Sequence, residues 1–461
     1  MMPPTASART APHSTLARKV GHSAQRSART PLAGKLNLFQ AMVLRWRELA
    51  PYVAVHMVGV PHRLDAARLE AHLGAELDAA GLACIALDAH RRRFEFLSGP
   101  ATVDLAVLAG GDDPQSVARA EIERQLNGAF AGDGAFTPFR FFAIDCGAAF
   151  ELGIAYDHFI AGGDSIAVLL ERLASGYGAA GAGSAWAPRR YPRTYRRLFL
   201  RDLSYAVRGL RRLPAMAASC RRSVRAPCHR DRSAGTGFVS FHARDHALAA
   251  MLRTAKAWRV TLNDLVLAML LRAVADVVPR GSGPGRNELG VASIVNLRAE
   301  FESDAHDTFG LFLASLRVSH PVPEGIALER LAAEVHAETE RIKRDKLYLQ
   351  TLVALGWTGL VWRLLSPERR RRFLAKHYPL WAGMTSLNID GLWSDATFRD
   401  APISYTRAVP TGPLAPLAFA ITTFRGAMQI GVSFRVADVS ADTATRVGRA
   451  LLGQIEALAS A

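Results

Sequence analysis

Cysteine is scarce in this chain, and the little there is has no pattern. Cys84, Cys146, Cys220 and Cys228 stand far apart in 461 residues, without a CxxC pair or zinc-finger spacing. That excludes a disulfide framework and a structural zinc site, and it fits a reducing compartment in which the thiols are ordinary buried or idle groups. Long hydrophobic runs are missing as well. The longest uncharged apolar stretch, residues 348–362, falls short of the ~18 residues that a membrane span needs. Acidic residues are absent from the first 47 positions, which carry eight Arg or Lys, and nearly absent from 186–232, where fourteen Arg face only Asp202 and Asp231. These segments hold +8 and +12, so the formal charge of +16 leaves the rest of the chain at −4. The basicity belongs to a tail and one internal stretch, neither with aromatics interleaved on a recognised nucleic-acid-binding fold, and no nucleic-acid partner is expected.

The tail itself, "MMPPTASARTAPHSTLARKVGHSAQRSARTPLAG", lacks the apolar core of a secretory signal and reads as a disordered basic leader over 1–35, with order beginning near Leu36. The chain as a whole is globular in composition, with 49% hydrophobic and 21% charged residues, and long enough for two or three folding units. Strand-like and helix-like segments alternate. "YVAVHMVGV" (52–60) reads as a strand, and 65–81 and 118–130 have apolar positions at helical spacing. "FRFFAID" and "FELGIAY" read as antiparallel strands joined by "CGAA", the second delivering His158 into a glycine-containing loop, with a helix from Ser165 capped by Asp164 or Ser165. The low-complexity "SGYGAAGAGSAWAP" (175–188) then marks a linker.

Beyond the linker, "YRRLFLRDLSYAVRGLRRL" predicts an amphipathic helix with Arg196, Arg197, Arg208, Arg211 and Arg212 on its polar side, suited to an anionic membrane surface, an acidic carrier protein or coenzyme A phosphates. A strand and a helix lead to "VTLNDLVLAMLLRAVADVV", a helix capped by Thr261 or Asn263 and apolar almost all round, hence deeply buried. "ELGVASIVNLR" is a strand ending at Asn296 and Arg298, and a second strand is opened by Gly310. "PLAFAITTFR" and "AMQIGVSFRV" form a hairpin about Gly426, and a helix closes the chain. "HARDH" straddles a strand–helix junction and is no metal site; "GSGPGRNELG" lacks the flanking strand and helix of a dinucleotide fingerprint; Trp357 and Trp362 read as core or tunnel wall.

"DHFIAGGDS", "VTLNDLVLAML", "VNLR" before "FGLFLASLRV", and "APLAFAITTFRGAMQIGVSFR" recur in the order seen in the condensation-domain superfamily of acyltransferases, which includes the condensation domains of non-ribosomal peptide synthetases, bacterial wax ester synthases and mycobacterial polyketide-associated acyltransferases. The chain resembles this family from about 36 to 461. The resemblance implies an α/β fold of mixed sheets in two chloramphenicol-acetyltransferase-like lobes, forming a V with an interlobe tunnel. An N-terminal lobe would span 36–180, a linker with the Arg-rich segment 181–235, and a C-terminal lobe 236–461. The family's signature is two histidines, three residues, then Asp-Gly. His158 matches the second, catalytic histidine and Gly163 the glycine, while Asp157 stands in place of the first histidine and Gly162 in place of the aspartate. That aspartate partners an arginine in the family, here matched to Arg298, so the resemblance requires another carboxylate, with Asp164 the first choice and Asp157 the second.

The activity so implied is acyl transfer from a coenzyme A or carrier-protein thioester to a hydroxyl or amine, with His158 as general base and Asn388 a candidate oxyanion or acceptor contact. No bound cofactor, no metal and no covalent enzyme intermediate are implied. The location expected is cytoplasmic, with contact at most with the surface of an anionic membrane. The altered motif leaves a second function class, a catalytically silent docking protein of the same fold.

Overall fold

Walking the chain of the computed structural model, strand β1 (Ala33–Lys35) leads to helix α1 (Leu38–Arg47), β2 (Val53–Val60), α2 (Ala66–Ala80), β3 (Cys84–Asp88), β4 (Arg93–Leu97) and β5 (Leu105–Ala109). Helix α3 (Pro114–Asn127), β6 (Gly134–Phe136), β7 (Phe139–Asp145), β8 (Phe150–Asp157) and α4 (Gly163–Gly178) complete the first half. The second half contains β9 (Thr236–His242), α5 (Ala247–Ala257), α6 (Leu262–Ala275), β10 (Leu289–Asn296), β11 (Leu313–His320), α7 (Leu328–Arg344), α8 (Leu349–Val361) and α9 (Pro367–His377). Strands β12 (Ala382–Asn388), β13 (Tyr405–Ala408), β14 (Leu417–Phe424) and β15 (Ala427–Arg435) precede the last helix, α10 (Ala441–Ser460). The structure describes residues 33–178, 188, 195, 211, 214–215, 217–227, 235–244, 246–279, 285–301, 308–394, 398 and 403–460. Residues 1–32 of the leader, most of the Arg-rich segment (of its five polar-face arginines, all but the exposed Arg211) and Cys228 lie outside the described residues, and Ala33–Lys35, expected to be part of the leader, form β1.

The local chemistry of each element explains its limits. Asn37 and Gln40 form a capping box that starts α1, and Asn37 Nδ2 also donates to Leu311 O at 2.8 Å, fixing that helix to the second half of the chain. Helix α2 begins on the Asp65 side chain and ends at Gly81, whose φ of 70° supplies the left-handed C-terminal turn. Thr261 and Asp264 form the capping box of α6, most of whose residues are buried, as its apolar circumference requires. Asp264 then holds α7 through His336 and Thr339. The β14–β15 turn places Arg425 (φ 50°) and Gly426 (φ 78°) both in the left-handed region, the signature of a two-residue hairpin whose twist matches its strands.

Three sheets result, one wholly antiparallel and two mixed. The orders are β1-β4-β3-β6, β13-β2-β8-β7-β5 and β11-β10-β12-β14-β15-β9. The predicted β7–β8 hairpin is antiparallel from Phe139↔Tyr156 to Asp145↔Phe150. One strand departs from the expected split into lobes at 180 and 236. Strand β13, from the second half, joins the sheet of the first by pairing antiparallel with β2, Arg407 facing His56. It also packs on β14 and β15. Gly431 of β15 permits that approach, because a Cβ there would stand 2.0 Å from the backbone oxygen of Arg407. Gly431→Ala should therefore lower stability by about 1–3 kcal/mol, as overpacking against backbone does, read as a lower urea midpoint with unchanged slope.

Helix α8 corrects the reading of the uncharged stretch 348–362. Trp362 is buried, but Trp357 is 67% exposed, and Val353, Leu360 and Leu364 face solvent on the same stripe. Leu349, Leu352, Leu355 and Thr358 fill the inner face. The helix is apolar on both sides, so composition could not tell them apart. No described helix is long and apolar enough to cross a membrane.

Candidate functional site

Strand β8 is buried along nearly its whole length in the middle of the five-stranded sheet, and it ends on Asp157 and His158. The backbone N–H of His158 donates to Tyr52 O at 3.1 Å, anchoring the loop to the residue just before β2. Its ring stacks on Tyr52 (centroids 5.7 Å, planes 19° apart) and meets Tyr156 edge-on at 5.7 Å. Nδ1 lies 3.1 Å from Ala161 O. A carbonyl can only accept, so Nδ1 carries the proton and Nε2 presents the lone pair. The ring keeps part of its surface open, yet its dense surroundings push its pKa from 6.5 down to about 4, with the positive charge of Arg407 adding to the effect of burial. The imidazole is neutral at pH 7 and able to take a proton.

Arg298, just past β10, is buried and reaches across to the start of α4. Its Nε lies 2.5 Å from Asp164 Oδ2 and its Nη2 3.3 Å from Asp164 Oδ1, while Nη2 also donates to Ser165 Oγ at 2.6 Å and to Gly310 O at 3.2 Å. Nη1 donates to Thr308 O, and the guanidinium lies 4.7 Å over the Phe312 ring. Asn296 Nδ2 adds a donor to Asp164 Oδ2 at 2.9 Å. The geometry accounts for the glycine that replaces the signature aspartate. A Cβ at Gly162 would stand 2.7 Å from Asp164 Oδ1, so the carboxylate from position 164 fills the space that a side chain at 162 would need. At Gly163, by contrast, a Cβ would make only ordinary contacts, 3.5 Å from the His56 ring.

Asp157 does not serve Arg298. Its carboxylate, 1% exposed, is paired with Arg47 Nη1 of α1 at 2.7 Å, and burial pushes its pKa up to about 7 against the pull of that arginine. Asn388 ends β12 on the surface, its Oδ1 accepting from Asp390 N at 3.1 Å and Thr423 Oγ1 at 3.3 Å. It closes a turn, and no hydrogen bond among the described residues joins it to the His158 loop.

Three residues at the site escape sequence reasoning: His56 of β2 and Tyr405 and Arg407 of β13. His56 is wholly buried, with Nδ1 2.8 Å from Tyr405 Oη and no hydrogen-bond partner at Nε2 among the described residues, and burial holds its pKa well below 6.5. Among the described residues, Arg407, 2% exposed, makes only long side-chain contacts, Nη1 to Ile421 O and Nη2 to Thr385 Oγ1, both 3.4 Å. It forms no ion pair with any described carboxylate. Its charge adds to burial in lowering the pKa of His158. The signal in sequence is slight, a histidine and an arginine inside strands that nothing nearby in the chain brings together.

No protein-family model matches the sequence, and no curated protein does. Solved structures do. The first condensation domain of the CDA synthetase superposes with a TM-score of 0.65 at 14% identity, over 93% of this chain and 96% of that one. The epimerization domain from the third module of tyrocidine synthetase B gives 0.63 at 14%, over 94% and 98%. A starter condensation domain of rhizomide synthetase, in complex with C8-CoA and Leu-SNAC, gives 0.60 at 14%, over 93% and 95%. The chain therefore has the fold of these condensation and epimerization domains.

Proposed function

We propose that this protein transfers an acyl group from a thioester to a hydroxyl or amine acceptor, with His158 as the general base. The observation that carries the reading is the fixed tautomer of His158: Nδ1–H is spent on Ala161 O, and Nε2 is left to take the proton of the attacking group. As the acceptor's oxygen or nitrogen bonds to the thioester carbonyl, its proton passes to Nε2; collapse of the tetrahedral adduct breaks the carbon–sulfur bond, and the proton leaves with the thiolate. Arg407 supplies positive potential for the intermediate oxyanion. The Arg298–Asp164 pair holds the loop bearing His158 against the Gly310 segment. The silent-docking alternative rests on the missing carboxylate at 162, and Asp164 supplies one.

The test is release of free thiol by the purified protein from acyl thioesters, dependent on added amine or alcohol. No acceptor-dependent release across a broad panel of donors and acceptors would overturn the proposal. Where turnover is found, its pH dependence is a second check. A base with its pKa held near 4 stays deprotonated through the mildly acid range, so kcat/KM should remain flat from pH 8 to about 5 and fall only below that. An acid limb near the ordinary histidine value of 6.5 would show that the essential base is not this buried ring.

A further inference from the structure

Seven large apolar side chains are exposed among the described residues, and four of them, Val353, Trp357, Leu360 and Leu364, lie on one face of α8 and the 3₁₀ turn that follows it, Trp362–Leu364. Their spacing of four, three and four residues sets them in a single row along the helix. Exposed apolar residues scattered singly are ordinary, but a row of four that includes a tryptophan marks a contact surface. The opposite face is engaged. Arg45 of α1 lies so close that a Cβ at Gly359 would stand 1.9 Å from its Nη1, and Trp362 Nε1 donates to Glu48 Oε2 at 3.1 Å. The row therefore points away from α1.

Helix α9 starts three residues past Leu364 and is held against the same end of α1, Arg370 Nη1 pairing with Glu48 Oε2 at 2.5 Å and Arg371 Nη2 donating to Leu49 O at 2.7 Å. Arg369, Arg372 and Lys376 recur at helical spacing on its exposed side, and Arg363 is exposed at the end of the apolar row. None of these four cations pairs with a described carboxylate. From 349 to 377 there are six Arg or Lys and one acid, Glu368, a formal +5. Charge of one sign beside an apolar row is complementary to a lipid surface: the apolar side chains enter the boundary between headgroups and acyl chains, tryptophan suits that boundary, and the cations meet anionic headgroups. A protein partner would be matched by a shaped groove and by charges of both signs. We propose that the outer face of α8 and α9 docks this protein on an anionic membrane surface without spanning it. This surface is separate from the Arg-rich stretch 186–232, and its use does not depend on the acyl-transfer reading.

Cosedimentation of the full chain with lipid vesicles tests the assignment. The wild type should bind vesicles of equimolar phosphatidylcholine and phosphatidylglycerol, bind pure phosphatidylcholine about tenfold more weakly or less, and be released as salt rises. Trp357→Ser/Leu364→Ser should lose about tenfold or more of the partition onto the mixed vesicles, with an unchanged thermal midpoint because both side chains already stand in water. Arg369→Gln/Arg372→Gln/Lys376→Gln should lose at least as much, at about fivefold for each basic residue near the surface. Residues 1–47 and 186–232 are basic too and attract the same vesicles, so the serine variant decides, since it leaves every charge in place. Equal partition of the wild type and both variants would overturn the proposal and assign lipid contact to those stretches. A wild type that ignores the mixed vesicles would overturn it as well, whether or not the same row captures an acidic protein instead.

Discussion

His158→Ala is expected to lower kcat by about 10²- to 10⁴-fold, the usual share of a general base, while leaving the protein folded. The ring's contacts are with Tyr52, Tyr156 and a single backbone carbonyl, and the loop is held independently by the backbone bond from His158 N to Tyr52 O. Alanine keeps that backbone bond. The measurement is acceptor-dependent thiol release at saturating donor, paired with circular dichroism and a thermal midpoint. Unaltered turnover by the folded variant would remove His158 from the chemistry; a variant that no longer folds calls for His158→Gln, which retains bulk and a donor but cannot serve as a base.

Breaking the Arg298–Asp164 pair should have the largest effect on stability. Arg298 is 5% exposed and spends its donors on Asp164, Ser165, Thr308 and Gly310, so Asp164→Ala leaves a buried guanidinium short of its counter-charge. The expected cost is about 3–5 kcal/mol, and Arg298→Ala should cost a similar amount, the two together costing less than their sum because they share one interaction. The packing at Gly162 offers a sharper experiment. If the carboxylate of Asp164 occupies the space of a side chain at 162, moving the charge back should rescue the fold. Gly162→Asp combined with Asp164→Ala should regain stability over Asp164→Ala alone, measured by denaturant midpoint. A double variant no more stable than the single one would show that the two positions are not interchangeable.

The features legible in sequence are those whose partners are close in the chain or whose pattern is periodic. The strand–loop–helix around His158, the β14–β15 turn at Gly426 and the all-round apolar α6 all follow from a few consecutive residues. The need for a carboxylate against Arg298 comes from the resemblance, which pairs that arginine with the signature aspartate, and the cost of a buried cation without a counter-charge turns it toward the acids flanking the loop. Asp157 is harder: its partner, Arg47, lies at the end of a helix near the start of the chain, and nothing in the local pattern points there. Asn388 has only its position to suggest a role, and its side chain is used by its own turn. His56 and Arg407 are invisible because each is ordinary in its own strand; only the antiparallel register of β2 with β13 makes them neighbours. Trp357 shows the opposite failure, where a uniformly apolar helix hides which face is inside.

The β2–β13 ladder also bears on how the protein is made. Its partners, such as Val58 and Tyr405, are separated by about 350 residues, so the edge of β2 stays open while most of the polypeptide is still being synthesised. A ribosome working at ~5–20 residues per second would need tens of seconds to deliver the missing strand. During that interval the nascent chain carries an unpaired, largely apolar edge, and soluble yield should depend on translation speed and chaperone supply more than the stability of the finished fold would suggest.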